Sequence, residues 1–265
     1  MMQNKKEFKL ITKKTPKSLL PNALTIFGVC LGLSSIKFAL DANYAMSVIA
    51  IGLAAILDTL DGRVARLIKG TSKVGKELDS LTDVISFGVA PGFIMYFWAL
   101  NEVGKLGWMF VLIYTVCCAL RLARFNLTTV DEHESWKINF FEGVPSPAAA
   151  GLVLLPLILS LSNLIQFQNY AVLSSITILL TSILMVSKLP TYSMKRILIP
   201  RHLAVFLLLG IGIYVSLLIF YTFKTLFFSG LIYLCLIPIS FFHYRQKNKK
   251  TFITVSDEDE TEDIL

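Results

Sequence analysis

Charge is what this sequence has least of. Only 16% of its 265 residues are Asp, Glu, Lys or Arg, while 55% are apolar, and the mean hydropathy is +0.67. A soluble domain carries about 25% charge, so this composition excludes a disordered chain, a collagen-like chain and an ordinary cytosolic enzyme. Cysteine is sparse as well. Cys30, Cys117, Cys118 and Cys235 each lie inside an apolar run, with no CxxC pair and no Cys/His cluster. That argues against a structural zinc site and against a disulfide framework. The three histidines, His133, His202 and His243, fall in polar loops or at the end of an apolar run. No Ser/His/Asp nucleophile arrangement is therefore visible. No basic stretch is interleaved with aromatics, so the net charge of +7 points away from nucleic acid and toward anionic membrane lipid.

What is present is a series of long apolar runs. A membrane-spanning helix needs about 20 apolar residues. Eight candidate spans are predicted, near 22–40, 44–66, 82–100, 106–125, 147–165, 169–187, 203–222 and 225–243. The expected fold class is thus all-α, a polytopic integral membrane bundle of about eight transmembrane helices. With the N-terminus in the cytoplasm, 22 of the 25 Lys and Arg fall on the cytoplasmic side. Only Lys37, Lys105 and Lys224 do not. This bias fits the positive-inside rule and puts both termini in the cytoplasm.

The chain divides into a basic N-terminal segment over 1–20, a membrane domain over 21–200, a C-terminal transmembrane hairpin over 201–245 and an acidic cytoplasmic tail over 246–265. The six lysines of the first segment are followed by no small-residue cleavage site, so a signal peptide is not expected. The segment reads equally as a surface helix on anionic headgroups or as a solvated tail. The final acidic stretch, Asp257 to Asp263, has no apolar period and reads as disordered.

One stretch breaks the apolar rule. Asp58 and Asp61 close the second run, and Asp79 and Asp83 open the third. Charges at such depth are costly unless paired, bound to metal or facing a cavity. Asp58 and Asp61 are spaced i, i+3 and Asp79 and Asp83 i, i+4, so each pair shares a helix face. A hairpin of the two runs can bring all four carboxylates together. Their repulsion is resolved by divalent cations, and an oxygen-only donor set favours Mg2+, Mn2+ or Ca2+ over zinc. Asp58, Asp61, Asp79 and Asp83 are therefore all candidate metal ligands, and two cations about 4 Å apart can clamp phosphoryl oxygens. Gly62, Ala65 and Gly75 keep the adjoining faces small enough for a flat ligand, and Arg66 can meet phosphate. The competing possibility is ordinary ion pairing with Arg63, Arg66, Lys73 and Lys76.

The spacing D-x2-DG-x2-AR-x8-G-x3-D-x3-D, which fixes eight positions over 26 residues, resembles the signature of the CDP-alcohol phosphotransferase family at every defined position. The resemblance implies a six-helix family core, here followed by the C-terminal hairpin. It implies that Asp58, Asp61 and Asp79 ligate Mg2+ or Mn2+, two ions per site, and that Asp83 activates the acceptor hydroxyl. It places Gly62, Ala65, Arg66 and Gly75 on the CDP moiety, and suggests a homodimer. Asn22 and Thr25, in the PNxxT entry to the first span, either line the nucleotide site or belong to a helix-capping turn.

The LRLARFN run at 120–126, the FEGVPSPAAA run at 141–150 and the SKLPTYSMK run at 187–195 resemble the phosphatidylserine synthase branch. This implies CDP-diacylglycerol and L-serine as substrates, with phosphatidylserine and CMP as products, at the cytoplasmic face of the inner membrane. Arg121, Arg124 and Ser146 are the candidate serine-binding residues. The arginines can also bind the lipid pyrophosphate, or simply flank the membrane. The last hairpin is assigned no catalytic role. Another acceptor, such as glycerol 3-phosphate or an inositol phosphate, would call for an extra basic cluster. A cation transporter would call for acids at the bilayer midplane and an inverted repeat.

Overall fold

A computed structural model describes residues 19–68, 73–127, 140–192 and 201–262. The basic residues before 19, together with Lys69, His133, Lys137, Lys195 and Arg196, lie outside the described residues.

The elements run in chain order as α1 (Leu19–Leu40), α2 (Tyr44–Leu67), α3 (Lys73–Asp83), a π-helical segment (Val84–Val89), α4 (Ala90–Trp98), a 3-10 turn (Leu100–Val103), α5 (Lys105–Leu127), β1 (Phe140–Glu142), α6 (Ser146–Val153), α7 (Leu155–Ser162), α8 (Tyr170–Val186), β2 (Pro190–Tyr192), α9 (Arg201–Phe220) and α10 (Thr222–Glu262). Among the described residues, five helical stretches are long and apolar enough to cross a membrane: Leu19–Leu40, Tyr44–Leu67, Val74–Trp98, Lys105–Leu127 and Thr222–Arg245. The chain is a multi-pass helical membrane protein. Large apolar side chains such as Phe206, Leu208 and Ile219 remain exposed on α9, as expected of a surface that faces lipid.

Two of the eight predicted spans differ from the sequence reading, while the run 203–222 is α9, of 20 residues. The run 169–187 is the 17-residue helix Tyr170–Val186. The predicted run 147–165 is two eight-residue helices, α6 and α7. Pro156 explains the break: it has no N–H to donate and resists a place inside a helix, so α6 closes at Leu154 and α7 restarts with proline in its first turn. At the C-terminus the difference runs the other way. The helix continues through the acidic stretch to Glu262, where the sequence reading expects disorder. Neither Pro nor Gly occurs after Pro238 to stop it.

α1 and α2 form a tight hairpin. Ala42 takes a positive φ at the turn, Asn43 caps α2 by accepting from the Met46 N–H, and Lys37 pairs with Asp41. Ser47 Oγ donates to Ser35 O across the pair at 2.7 Å. α1 also crosses the π segment closely. A Cβ on Gly32 would lie 2.9 Å from Ser86 Cα, so only glycine permits the crossing. π turns recur at functional sites, and this one begins directly after Asp83. Tyr114 of α5 donates to Phe87 O at 2.7 Å and anchors the segment from the other side.

The buried core lies among the π segment, α4, α5, α6, α7 and α8, filled by Phe87, Ile94, Met95, Tyr114, Val153 and Ile178. One short antiparallel ladder, not foreseen from the sequence, joins β1 to β2 with Phe141 opposite Thr191. It fixes the approach to α6. Gly143 has φ +74, and a Cβ there would lie 2.6 Å from Met185 O. Glycine is thus needed both for the backbone angle and for the close approach.

Candidate active site

α2 and α3 both pack on α1 and bring three of the four aspartates together. Oxygens of Asp58, Asp61 and Asp79 all lie within 4.8 Å of one another. Asp61 is buried, and Thr25 Oγ1 donates to its Oδ2 at 2.7 Å. Thr25 thus touches the carboxylate cluster, and its hydroxyl also lies 3.0 Å from Pro21 O within the same helix. Asn22 sits within the first turn of α1, which starts at Leu19, so it is a helical residue and not an N-cap.

Asp83 follows Asp79 by one helical turn and lies against Asp58. It also meets a second set of partners. Ser146 Oγ donates to Asp83 Oδ2 at 3.0 Å, and Arg121 Nη1 donates to Ser146 Oγ at 2.9 Å. Pro145 is the N-cap of α6 and Ser146 makes no capping bond, so this hydroxyl is free to link arginine to carboxylate. Arg121 is itself buried, with its guanidinium 5.8 Å from the Phe125 ring centroid. Asp83 Oδ1 and Arg121 Nε are buried without a hydrogen-bond partner among the described residues. Orphaned buried polar atoms are rare in folded proteins and ask for a ligand, ion or water.

The two arginines at the end of α5 diverge. Arg124 turns to the C-terminus of α8, donating to Val186 O at 2.9 Å. Only Arg121 reaches Asp83 through Ser146. Arg66 Nε donates to Gly62 O at 2.9 Å, one turn back along α2. Around Gly62 there is open space: a Cβ would meet nothing within 4 Å. Ala65 is half-buried on the same helix, and Gly75 opens the second turn-pair of the hairpin one turn before Asp79.

Among the described residues, none of the four aspartates forms a direct ion pair with Arg63, Arg66 or Lys76, and the side chain of Lys73 lies outside the described residues. An uncompensated cluster of carboxylates with only oxygen donors suits a hard divalent cation. The residues present thus fit a metal site at Asp58, Asp61 and Asp79.

The C-terminal hairpin also reaches this region, which the sequence reading missed. α10 packs on α6, α7 and β2, and the Tyr233 hydroxyl is buried beside Thr191. The one available signal was a tyrosine in an otherwise apolar span.

The architecture and the site define a membrane-embedded enzyme built around an aspartate-rich helical hairpin. The CDP-alcohol phosphatidyltransferase family profile matches residues 18–243, and the chain belongs to that family. Its relatives include proteins named CDP-diacylglycerol–serine O-phosphatidyltransferase. That of Mycobacterium leprae is 36% identical over 228 residues, which is 86% of this chain and 76% of the relative. That of Helicobacter pylori is 40% identical over 182 residues, 69% of this chain and 75% of the relative. That of Bacillus subtilis is 34% identical over 177 residues, 67% of this chain and 92% of the relative.

Proposed function

We propose that the chain transfers the phosphatidyl group of CDP-diacylglycerol to the hydroxyl of L-serine, giving phosphatidylserine and CMP. The observation that carries the reading is the three-carboxylate cluster with Asp83 beside it, tied by its own hydrogen-bond chain to Ser146 and Arg121. The names of the relatives supply the acceptor, and the described site supports it: Arg121 is the one arginine joined to Asp83, with no extra basic cluster for a phosphorylated alcohol.

Asp58, Asp61 and Asp79 would hold two divalent cations, Mg2+ or Mn2+, which when bound supply the positive charge that a pyrophosphate needs to leave. Gly62, Ala65, Arg66 and Gly75 receive the CDP moiety along the open face of the hairpin, with Asn22 and Thr25 at its edge. Ser146 and Arg121 hold Asp83 Oδ2, so Oδ1 is the oxygen left to take the serine hydroxyl proton. The serine oxygen then bonds to the β-phosphorus, the one carrying diacylglycerol. The bond from that phosphorus to the bridging oxygen breaks, and CMP leaves with the electron pair. No covalent enzyme intermediate is required, and the acyl chains stay in the bilayer throughout. Arg121 supplies the cationic side of the serine subsite, while Arg124 ties its end of α5 to the carbonyls ending α8.

The same reading places the protein in the inner membrane as a homodimer, with eight apolar segments embedded. Both termini and the site face the cytoplasm, and the basic loops lie on anionic lipid.

The test is CMP release by purified protein with CDP-diacylglycerol, a divalent cation and labelled serine. Equimolar phosphatidylserine and CMP are expected. CMP release with glycerol 3-phosphate or an inositol phosphate, and none with serine, would overturn the acceptor.

A further inference from the structure

Among the described residues, five buried side-chain polar atoms have no hydrogen-bond partner. Two are the serine hydroxyls of Ser174 and Ser240. The other three are Asp83 Oδ1, Arg121 Nε and the Tyr233 hydroxyl, and these belong to one neighbourhood. Arg121 is tied to Asp83 through Ser146. Tyr233 stands beside Thr191 and within electrostatic reach of Arg121. The Thr191 hydroxyl donates its proton to Gly143 O at 2.8 Å and stands beside the Tyr233 hydroxyl without forming a hydrogen bond to it.

Tyr233 is an odd choice for this position on packing grounds alone. Its ring packs against the core from α10, with Leu231, Ile232, Leu234 and Leu236 around it in sequence. A buried hydroxyl without a partner is costly, and Phe would fill the same space without that cost. The hydroxyl is a donor held in a low-dielectric place next to a guanidinium with a free N–H. Those two donors suit one kind of partner, a small anion with two oxygens.

We propose that Tyr233 is an acceptor-binding residue: its hydroxyl and the Arg121 guanidinium together receive the carboxylate of the acceptor alcohol. The inference rests on the reading of serine as acceptor. It gives the C-terminal hairpin a part in the site, since α10 carries the second donor. A carboxylate held by Arg121 leaves the acceptor's hydroxyl to reach Asp83, which Arg121 already adjoins through Ser146. The same pair of donors would also suit a phosphate oxygen of the lipid substrate, so the two sources must be separated by experiment.

The experiment compares the wild-type protein with Tyr233→Phe, which keeps the packing ring and removes only the hydroxyl. KM is measured for serine at saturating CDP-diacylglycerol and for CDP-diacylglycerol at saturating serine, with the melting temperature recorded alongside. The expected result is a rise of about tenfold in the serine KM, the worth of one hydrogen bond to a charged group. The KM for CDP-diacylglycerol should stay within about twofold, and kcat within about threefold. Tyr233→His, which restores a donor, should recover part of the serine KM. A serine KM within about twofold of wild type in Tyr233→Phe overturns the proposal. So does a rise confined to CDP-diacylglycerol, which assigns the hydroxyl to the lipid phosphate. A loss of melting temperature with both KM values unchanged marks a packing role and overturns it too. A wild-type protein that does not use serine fails the functional reading itself, and that outcome is read before any variant is made.

Discussion

Ser146→Ala tests the hydrogen-bond chain at Asp83 most cleanly. The Ser146 hydroxyl is fully buried, takes no part in capping α6, and makes two bonds, accepting from Arg121 at 2.9 Å and donating to Asp83 at 3.0 Å. Alanine fits the same space and suits a helix better, so the fold should hold. What is lost is a hydrogen bond to a charged acceptor and the link from guanidinium to carboxylate. A hydrogen bond to a charged group is worth about 1.5–3 kcal/mol. Asp83 would then have both oxygens without a protein donor, since Oδ1 already has none.

If that bond is what orients Oδ1 toward the acceptor hydroxyl, its loss reads out in turnover. At about 1.4 kcal/mol per factor of ten, kcat should fall about 10–100-fold. The KM for CDP-diacylglycerol should stay within about twofold, because Ser146 bonds to Asp83 and Arg121 and to none of the three clustered carboxylates. Ser146→Thr, which keeps a hydroxyl, should recover part of the loss. The assay is CMP release at saturating lipid substrate and varied serine. A kcat for Ser146→Ala within about threefold of wild type would refute the reasoning, because Asp83 would then need no support from Arg121.

Four further outcomes follow from the same geometry. Asp58→Asn and Asp79→Asn should each abolish turnover and weaken Mn2+ binding at least tenfold by calorimetry, since each removes one of the three converging carboxylates. Asp83→Asn should lower turnover by about a thousandfold or more while CDP-diacylglycerol binding stays measurable; near-normal turnover would remove Asp83 as the proton acceptor. Gly62→Leu should leave the melting temperature unchanged, because a side chain there meets open space, yet raise the KM for CDP-diacylglycerol at least tenfold if the nucleotide occupies that space. Gly32→Ala should cost about 1–3 kcal/mol, because its Cβ would meet the Ser86 backbone at 2.9 Å, and lower the melting temperature by several degrees in detergent; an unchanged melting temperature would mean that the π segment yields freely.

The parts of the site legible in the sequence are those set by short spacing. Asp58 with Asp61, and Asp79 with Asp83, share faces because helix geometry dictates it, and one turn between two apolar runs is enough to oppose them. Apolar runs likewise forecast the helices. Span lengths were less legible, because hydropathy does not register where a proline removes a donor, as Pro156 does between α6 and α7. The π segment was not legible at all. Its width depends on what crosses it, Gly32 on one side and Tyr114 on the other, and those contacts join residues 54 and 27 positions apart in sequence. The same holds for Arg121 and Arg124. They are three positions apart and look equivalent, yet one turns to Ser146 and the other to the carbonyls ending α8.

This contrast separates the site into two halves of different origin. The carboxylate half is local: Asp58, Asp61 and Asp79 come from one helical hairpin, with Thr25 of the adjoining helix holding Asp61 in place. The half proposed to take the acceptor is assembled at long range, from Arg121 on α5, Ser146 on α6, Thr191 on β2 and Tyr233 on α10. Asp83 joins them, being on the hairpin by sequence and on the acceptor chain by hydrogen bonding. A change of acceptor alcohol can therefore arise by altering α5, α6, β2 or α10 without moving a metal-facing carboxylate. The cost of that arrangement is that the acceptor half has no local spacing to enforce it. Its geometry depends on Gly143, whose positive φ and contact with the Met185 carbonyl set where α6 begins. Strain at Gly143 should thus disturb serine use before it disturbs binding of CDP-diacylglycerol.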